Sequence, residues 1–420
     1  MFSRRMRLVF IILGIVFVLF SCAQGTFAKT KITILMEPSA GGGWKELEKR
    51  FEKANPDIDF VIIEGPSATN IREDMYATSF MAKESTYDLI YMDLIWVPKF
   101  AAAGWIIPLD DRFPPAKQKE FLPGDIMGSK YAGKIYRVPV QSDAGMLYYR
   151  KDLLAKGGLS VPETWDDLVK CSLALQNPPN LWGFVWQGKQ YEGLICDFLE
   201  VVWGAGGDLL TEDNQVVIDQ PPAVDALQWM VDLIHKFKVS PPGVTTYQEE
   251  ESRHAFQEGK AIFLRNWPYV WTLSNKDDSP IKGKIGITPM VHRPGPEYKS
   301  AATQGGWGLG ISAFSKNKEA AWKFIEFATS YEGQKLLHFM DVIIPTRHAL
   351  FKDQDILKES PHYPDLYKVQ LGARPRPMHP RYGAISDALQ IHVSAALVKR
   401  ETPLQALKAA AAEIRDILAR

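Results

Sequence analysis

The sequence predicts an α/β protein with two domains or lobes, on three observations. From Lys31 onward, short apolar segments of strand length alternate with amphipathic segments of helical period. This alternation is typical of βαβ units and a mostly parallel sheet. The chain has 420 residues, which is long for a single hydrophobic core. It contains no internal repeat and no long Gly/Ser linker, so we expect two lobes joined by short crossings.

The first part of the chain contains three strands that alternate with helices. We predict strands in K-I-T-I-L-M, I-D-F-V-I-I-E and Y-D-L-I-Y-M-D, and helices over W-K-E-L-E-K-R-F-E-K-A, over 69–83 and up to Gly104. Ligands of open α/β sheets bind beyond the carboxyl ends of the strands, where this sequence has Glu37, Glu64 and Asp93. Such acids also cap helices. Glu37 and Asp93 are our candidates for ligand contact.

A second set of elements begins near K-I-Y-R-V-P-V. In P-E-T-W-D-D-L, Thr164 and the following acids indicate a capped helix start. The Pro-rich segment R-P-R-P-M-H-P excludes a regular helix before the C-terminal region. Helical periodicity recurs at 192–203, 222–237, 248–258, 316–329, 331–339 and 384–419, the last interrupted at Thr402 and Pro403.

The N-terminus predicts an export signal at 1–21. A basic segment with three arginines precedes an apolar run at 8–20, which is too short to span a bilayer comfortably. The stretch L-F-S-C resembles a bacterial lipobox and predicts lipidation of Cys22, although Phe20 replaces the usual small or β-branched residue. The alternative is ordinary cleavage after T-F-A, at Ala28.

Charge and motifs exclude several classes of function. Lys+Arg and Asp+Glu are both 49, so no excess of positive charge favours nucleic acid or an anionic membrane. The sequence contains no P-loop, G-x-G-x-x-G, H-E-x-x-H, C-x-x-C or G-x-S-x-G motif, and we predict no catalytic residue, metal or cofactor. A glycosidase carboxylate pair assembled in space remains open. Cys171 and Cys196 could form one disulfide or stay as buried thiols.

The aromatic residues indicate a sugar ligand. R-N-W-P-Y-V-W places Trp267, Tyr269 and Trp271 around a proline, and Q-G-G-W-G-L-G places Trp307 among glycines. We therefore predict these rings in loops. An aromatic ring can cover the apolar face of a pyranose, while carboxylates, amides and arginines bind its hydroxyls. A single tryptophan more often fills the core, but this context favours ligand contact for Trp267 and Trp307, and less so for Trp271.

Five stretches carry a family resemblance. They are Y-D-L-I-Y-M-D-L-I-W-V-P-K-F-A-A-A-G-W-I-I-P-L-D-D, K-I-Y-R-V-P-V-Q-S-D-A-G-M-L-Y-Y-R-K-D-L-L, P-E-T-W-D-D-L, F-Q-E-G-K-A-I-F-L-R-N-W-P-Y and G-G-W-G-L-G-I-S-A-F-S-K-N-K-E-A-A-W-K-F-I-E-F-A-T-S-Y-E-G-Q. In order and spacing they resemble the extracellular solute-binding proteins of sugar ABC importers, and most of all the trehalose/maltose-binding branch. The resemblance covers essentially the whole mature chain.

The resemblance implies a two-lobed periplasmic-binding-protein fold, type II-like, with the ligand cleft between lobes joined by hinge crossings near 136–139, 302–306 and 343–347. It implies a tether at 22–30, a first lobe of 31–137 plus 304–344, and a second lobe of 138–303 plus 345–420. The protein would be a monomer anchored by lipid at the periplasmic face of the cytoplasmic membrane, or free in the periplasm if cleaved near Ala28. It would have no enzymatic activity, and would capture a trehalose-, maltose-, sucrose- or glucosylglycerol-type ligand for a permease with its ATPases.

Ligand-binding positions follow from the same resemblance. Gln141 stands where an aromatic residue is frequent, which predicts a smaller or more polar second ring site, and Arg374 is the alternative to Arg376. The implied ligand-binding residues are Glu37, Arg72, Asp93, Gln141, Asp143, Trp267, Tyr269, Gly305, Gly306, Trp307 and Arg376. A secreted glycoside hydrolase and a structural adhesin are the alternative functions.

Overall fold

The computed structural model describes residues 29–38, 41–66 and 69–419. The predicted signal peptide and the predicted lipidation site at Cys22 lie outside these residues, as does most of the predicted tether, 22–30. Within the described part of the chain, no helix has the length and apolar character needed to cross a membrane.

Strands in the described residues fall into two main sheets and one small hairpin. In chain order they are β1 Thr30–Met36, β2 Ile58–Glu64, β3 Leu89–Asp93, β4 Lys130–Tyr131, β5 Lys134–Ile135, β6 Val138–Ala144, β7 Met146–Arg150, β8 Trp182–Val185, β9 Ala261–Asn266, β10 Ile285–Thr288, β11 Ala302–Ile311 and β12 Ala373–Arg374.

Helices surround both main sheets. In chain order they are α1 Gly43–Ala54, α2 Thr69–Met81, α3 Trp96–Ala102, α4 Pro115–Gln118, α5 Pro123–Met127, α6 Lys151–Gly157, α7 Trp165–Leu175, α8 Glu192–Gly204, α9 Pro221–His235, α10 Glu249–Gln257, α11 Tyr269–Ser274, α12 Lys318–Ala328, α13 Tyr331–Asp341, α14 Gln354–Glu359, α15 Tyr363–Leu371, α16 Tyr382–Leu397 and α17 Pro403–Ala419. Short 3₁₀ turns occur at Pro242–Thr246 and His348–Lys352.

The first sheet confirms the predicted alternation of strand and helix. Strands β1, β2 and β3 are parallel, with β1 between the other two. Their side chains are mostly buried because helices cover both faces of the sheet, as is usual for parallel strands. Trp44, Leu47 and Phe51 of α1 pack on one face, as the helical period of these residues predicts. β11 extends the sheet beyond β3 in the antiparallel direction, and β6 pairs with β11.

The second sheet has the order β10-β7-β9-β8 and forms the centre of the second lobe. Its largest core cluster joins α7, α8, α9, α16 and α17. α8 is buried along almost its whole length, which explains why its sequence is mostly apolar; its buried acids, Asp197 and Glu200, pair with Arg265. Cys171 and Cys196 lie in α7 and α8, and both are free, buried thiols rather than a disulfide.

The chain passes from the first sheet to the second at Gly145, between β6 and β7. Its backbone N–H donates to the carbonyl of Thr303 at 3.2 Å. A Cβ atom at this position would lie 1.8 Å from Oε1 of Glu200 and 2.1 Å from Nη2 of Arg265. Only glycine lets this crossing approach the buried ion cluster behind it.

The prediction of a loop around Trp307 is wrong. Trp307 lies in the middle of β11, a ten-residue strand between β3 and β6. The glycines of this strand allow its neighbours to pack closely: a Cβ at Gly308 would lie 2.6 Å from Cγ of Arg137, and one at Gly310 would lie 2.3 Å from Cε of Met92. Glycine here marks close packing in a strand and not a break in it.

The loop predicted over R-N-W-P-Y-V-W is only partly correct. Arg265 and Asn266 end β9, and Trp267 lies in the connection. Tyr269 and Trp271, however, belong to the short helix α11. Pro268 stands just before that helix, where a missing backbone donor costs nothing. The proline therefore begins a helix here instead of preventing one.

Candidate ligand-binding site

A cavity of about 770 Å³ lies between the two lobes. The first lobe contributes the end of β3, together with β6 and β11, and the second contributes the end of β9 and the beginnings of α8, α10 and α16. Its volume is within the range of about 300–1,000 Å³ that is usual for small-molecule sites. The predicted residues that line it are Asp93, Gln141, Asp143, Trp267, Tyr269, Gly305, Gly306, Trp307 and Arg376.

The two remaining predicted residues, Glu37 and Arg72, lie beside this cavity. Glu37 lines an adjoining cavity of about 390 Å³, which shares Gln141, Asp143 and Tyr269 with the larger one. Arg72 is buried, and its Nη2 lies 2.6 Å from Oε2 of Glu37. Burial raises the pKa of Glu37, and the charge of Arg72 opposes that change. The pair forms one edge of the site.

The ring of Trp307 is held by three neighbours. It stacks on Tyr91 with centroids 4.9 Å apart and an interplanar angle of 16°, and it meets Trp96 edge-on at 5.5 Å. Cζ of Arg72 lies 4.9 Å from the ring centroid. Such contacts fix the plane of the ring. The part of Trp307 that lines the cavity therefore presents a rigid aromatic surface from the first lobe.

Trp267 is supported from the second lobe by a buried ion cluster. Cζ of Arg265 lies 4.2 Å from the centroid of Trp267. Nε and Nη2 of Arg265 bind Glu200 at 2.8 and 2.5 Å, and its Nη1 lies 2.9 Å from Oδ1 of Asp197. Burial opposes the charge of Arg265, but Asp197 and Glu200 outweigh burial and raise its pKa. The hydroxyl of Tyr148 fixes the backbone by donating to the Trp267 carbonyl at 2.8 Å.

Gly305 and Gly306 leave the space that these rings need. A Cβ at Gly305 would lie 3.2 Å from Cβ of Asp143 and 3.4 Å from Cζ3 of Trp267. Gly306 has a φ of 109°, and a Cβ there would lie 2.4 Å from the carbonyl oxygen of Gln141. Both the backbone conformation and the close approach require glycine at Gly306.

Gln141 and Asp143 form a short hydrogen-bonded chain along the cavity wall. The hydroxyl of Tyr91 donates to Oε1 of Gln141 at 3.0 Å, and Nε2 of Gln141 donates to Oδ2 of Asp143 at 3.0 Å. Burial raises the pKa of Asp143 to about 7; the Gln141 hydrogen bond opposes this rise and the charge of Asp93 adds to it. Near neutral pH, Asp143 can therefore donate a hydrogen bond to a ligand hydroxyl or accept one from it.

Of the two arginines in A-R-P-R-P, Arg376 is the one that lines the cavity. Its Nη1 donates to Oε1 of Glu192 at 2.7 Å, and its Nη2 lies 3.6 Å from Oδ1 of Asp93. Arg374, the alternative, pairs with Asp208 at 2.6 Å outside the cavity lining. The geometry thus places Arg376, the favoured arginine, at the cavity and leaves Arg374, the alternative, outside its lining.

The two other rings of R-N-W-P-Y-V-W differ in position. Tyr269 lines the cavity and donates to Oε1 of Glu250 at 2.6 Å. Trp271 stacks on His362 with centroids 4.1 Å apart and packs against an apolar core cluster. This agrees with the weaker expectation of ligand contact for Trp271.

Sequence reasoning missed most of the second lobe's contribution. Tyr191, Glu192 and Glu249 come from the beginnings of α8 and α10, and Tyr382 and Ser386 come from the first two turns of α16. The available signal was the set of helix N-termini, because these ends provide polar groups and favour acidic residues. Nothing in the sequence shows that three such ends meet.

The electrostatic character of the cavity is acidic. Among the described residues that line it, the only basic side chain is Arg376, against six acids. One of the acids, Glu73, is paired with Lys99 at 2.7 Å. Its carboxylates can accept hydrogen bonds from hydroxyl groups, and a site with this charge balance attracts cations and repels anions. The six acids are Glu73, Asp93, Asp143, Glu192, Glu249 and Asp387.

Comparison with known proteins gives the family. Residues 37–335 match the model of the bacterial extracellular solute-binding proteins. A probable ABC transporter-binding protein of Deinococcus radiodurans is 34% identical, over 91% of this chain and 92% of the relative.

Two solved structures of binding proteins share the fold of this chain. The maltose-bound MalE3 of T. maritima has 44% identity and a TM-score of 0.82, covering 92% of this chain and 100% of the other. A tagatose-bound ABC transporter solute-binding protein of Thermotoga lettingae has 27% identity and a TM-score of 0.79, covering 93% and 100%. These relatives are binding proteins and not enzymes. The chain belongs to the bacterial extracellular solute-binding protein family, and the predicted resemblance to the solute-binding proteins of carbohydrate ABC importers is confirmed.

Proposed function

We propose that the cavity binds an uncharged disaccharide or glucoside and that the protein delivers it to the permease of an ABC importer. The observation that carries the proposal is the meeting of Trp267 and Trp307, from opposite lobes, at one cavity with Asp93, Asp143 and Arg376. Rings can cover the apolar faces of a sugar, while the charged groups bind its hydroxyls. The candidate ligands are of the trehalose, maltose, sucrose or glucosylglycerol type.

The relatives support a carbohydrate ligand but do not decide its size. The structure at 44% identity is bound to maltose, and the one at 27% identity is bound to the monosaccharide tagatose. The adjoining cavity at Glu37 gives the site room beyond one sugar ring. The acidic lining favours an uncharged ligand over a sugar acid or a sugar phosphate.

The way the ligand is held suggests how it is passed on. Closure of the lobes would bury the sugar and remove water from its hydrogen bonds, which are then stronger. A ligand can stabilise the closed form only as far as it prefers that form, so the permease need recognise nothing but closure. We propose that the protein acts as a monomer, with hinge crossings at Gly145 and near 302–306 and 343–347, and with the later lobe boundaries at 303/304 and 344/345. The first crossing is placed at Gly145 instead of the predicted 136–139, and the first boundary after β6 instead of at 137/138, because β6 pairs with β11 of the first sheet.

Anchoring is a separate part of the proposal. The family is extracellular, so the protein is exported. We propose that the signal peptide is removed and Cys22 is lipidated, which would hold the protein at the periplasmic face of the membrane near its permease. Mass spectrometry of the protein from membranes should show a diacylated or triacylated Cys22; a mature N-terminus near Ala28 would contradict the anchor.

The test is a titration of ligand-free mature protein with trehalose, maltose, sucrose and glucosylglycerol. Heat and tryptophan fluorescence are recorded together, and each sugar is analysed afterwards for hydrolysis. We expect one-to-one binding of at least one sugar, left chemically unchanged and strongly weakened in Trp267→Ala. Trp271→Ala is the matched control, because that ring packs on His362 instead of lining the cavity. Hydrolysis of the sugar would instead support a glycoside hydrolase, and no binding to the panel would overturn the proposal.

A further inference from the structure

Arg376 is a buried cation with unused donors at the ligand cavity. The residue is 4% exposed. Nη1 donates to Glu192, whereas Nε has no hydrogen-bond partner among the described residues. A guanidinium has five N–H groups, and leaving buried donors unpaired is costly. The described residues thus leave at least one donor of Arg376 unpaired beside the cavity that the side chain lines.

Glu192 is the neighbour best placed to do this. Its Oε1 accepts from Nη1 of Arg376 at 2.7 Å and from the hydroxyl of Tyr382 at 2.6 Å, and its Oε2 accepts from the hydroxyl of Ser386. The carboxylate is in the first turn of α8, where the helix dipole favours a negative charge. With three donors on two oxygens, Glu192 is occupied by protein groups.

These contacts attach Arg376 to the second lobe. α8 and α16, which carry Glu192, Tyr382 and Ser386, pack together in the core of that lobe. Asp93 ends β3 in the first sheet, and its Oδ1 is 3.6 Å from Nη2 of Arg376, an ion pair without a hydrogen bond. The contact of Arg376 with Glu192 is thus the shorter one, and the contact with Asp93 is the one that a ligand hydroxyl could replace.

We propose that Glu192 is the positioning residue for Arg376: it keeps the guanidinium on the second lobe, so that Asp93 of the first lobe and a ligand hydroxyl become partners of Arg376 only when the lobes meet. This inference rests on the proposed function. It adds to the binding site a residue that acts by holding Arg376 and not by contact with the ligand, since both carboxylate oxygens of Glu192 already accept hydrogen bonds from protein donors. A ligand would first dock on the second lobe, where Arg376 and Trp267 are already oriented.

The chain offers a control at Arg374, two residues from Arg376. Arg374, in the same Pro-rich segment, is held by Asp208 at 2.6 Å in a more exposed ion pair, and neither residue lines the cavity. Asp208→Asn removes the negative charge that pairs with Arg374, and Glu192→Gln removes the one that pairs with Arg376. Any general effect of weakening this segment would appear in both variants.

The experiment is a double-mutant cycle with maltose as the probe. Kd is measured for wild type, Glu192→Gln, Arg376→Ala, the double variant and Asp208→Asn. We expect Glu192→Gln to weaken binding by about ten- to hundredfold, the range for a hydrogen bond to a charged group. The double variant should bind nearly as Arg376→Ala does, because the inference assigns the larger part of the effect of Glu192 to that arginine and the smaller part to Tyr382 and Ser386. Asp208→Asn should match wild type. Wild-type affinity in Glu192→Gln, or effects of the two single changes that multiply, would overturn the inference.

Folding and ligand identity are controlled separately. If Glu192→Gln does not fold, Glu192→Asp, which keeps the charge on a shorter side chain, takes its place in the cycle with the same expectation of non-additivity. If the wild type does not bind maltose, the sugar that binds in the panel is used. If none binds, the proposed function fails by itself, and crystal structures of wild type and Glu192→Gln test the positioning. Arg376 in the same orientation in both would refute it.

Discussion

Arg265 gives the sharpest test of how the second lobe is held together. In Arg265→Met, Asp197 and Glu200 keep their places but lose the cation that binds both. All three side chains are buried, at 0–4% exposure, so water cannot replace the lost partner. Removing one partner of a buried ion pair costs about 3–5 kcal/mol. We expect a loss in the free energy of unfolding of this size at neutral pH, and a smaller loss in acid, where a buried carboxylate can take up a proton.

Urea unfolding followed by circular dichroism measures this loss. The triple variant Arg265→Met, Asp197→Asn and Glu200→Gln is the control, because its amide oxygens can still accept from the backbone N–H groups that the carboxylates bind now. Removing the stranded charges should recover much of the stability. Affinity should fall in both variants, by roughly fivefold for the loss of about 1 kcal/mol of cation–π support under Trp267. A stability loss below about 1 kcal/mol in Arg265→Met, or no recovery in the triple variant, would refute the reasoning.

Three further predictions concern the cavity wall. Gly306→Ala should lower the free energy of unfolding by about 1–3 kcal/mol, the cost of one strained residue, because its φ is 109° and its Cβ would meet a carbonyl oxygen at 2.4 Å; thermal unfolding measures this, and an unchanged midpoint would contradict it. Asp143→Asn should flatten the fall of stability with rising pH between about pH 4 and pH 7, since the folded carboxyl, with a pKa of about 7, keeps a proton that the unfolded one loses. Urea titrations across this window would show the same slope as wild type if the idea is wrong. Gln141→Tyr should change the ranking of disaccharides in competition titrations, because Gln141 lines both cavities, and an unchanged ranking would argue against a ring site there.

The first sheet could be predicted from the sequence because each of its parallel strands is a short apolar run followed by an amphipathic helix. K-I-T-I-L-M, for example, is β1 almost to the residue. The acid at the end of β3, Asp93, follows from the general position of ligands at carboxyl ends of strands, and it does line the cavity. Local pattern and tertiary position agree here because one strand and one helix form one packing unit.

The sequence predictions that failed share one physical cause: contacts between segments far apart in the chain decide where these residues lie. Glycine in β11 is used for close packing against β6 and β3, so a rule that treats glycine as a breaker places Trp307 in a loop. The interaction of Glu192 with Arg376 joins residues 184 positions apart. No periodicity or spacing records such a contact. Helix starts are recognisable one by one, but their meeting at a cavity is a property of the assembled lobe.

The two tryptophans of the cavity are built in the same way from opposite lobes. Trp307 has the guanidinium of Arg72 at 4.9 Å, and Trp267 has that of Arg265 at 4.2 Å. Each arginine is buried and is itself held by a carboxylate, Glu37 in the first case. A cation fixed near a ring orients it without using the surface that lines the cavity. Each lobe therefore carries a rigid ring of its own, and lobe closure changes mainly the separation of the rings. Ligand thickness between them, rather than adjustment of either ring, should then decide which sugars allow the cleft to close.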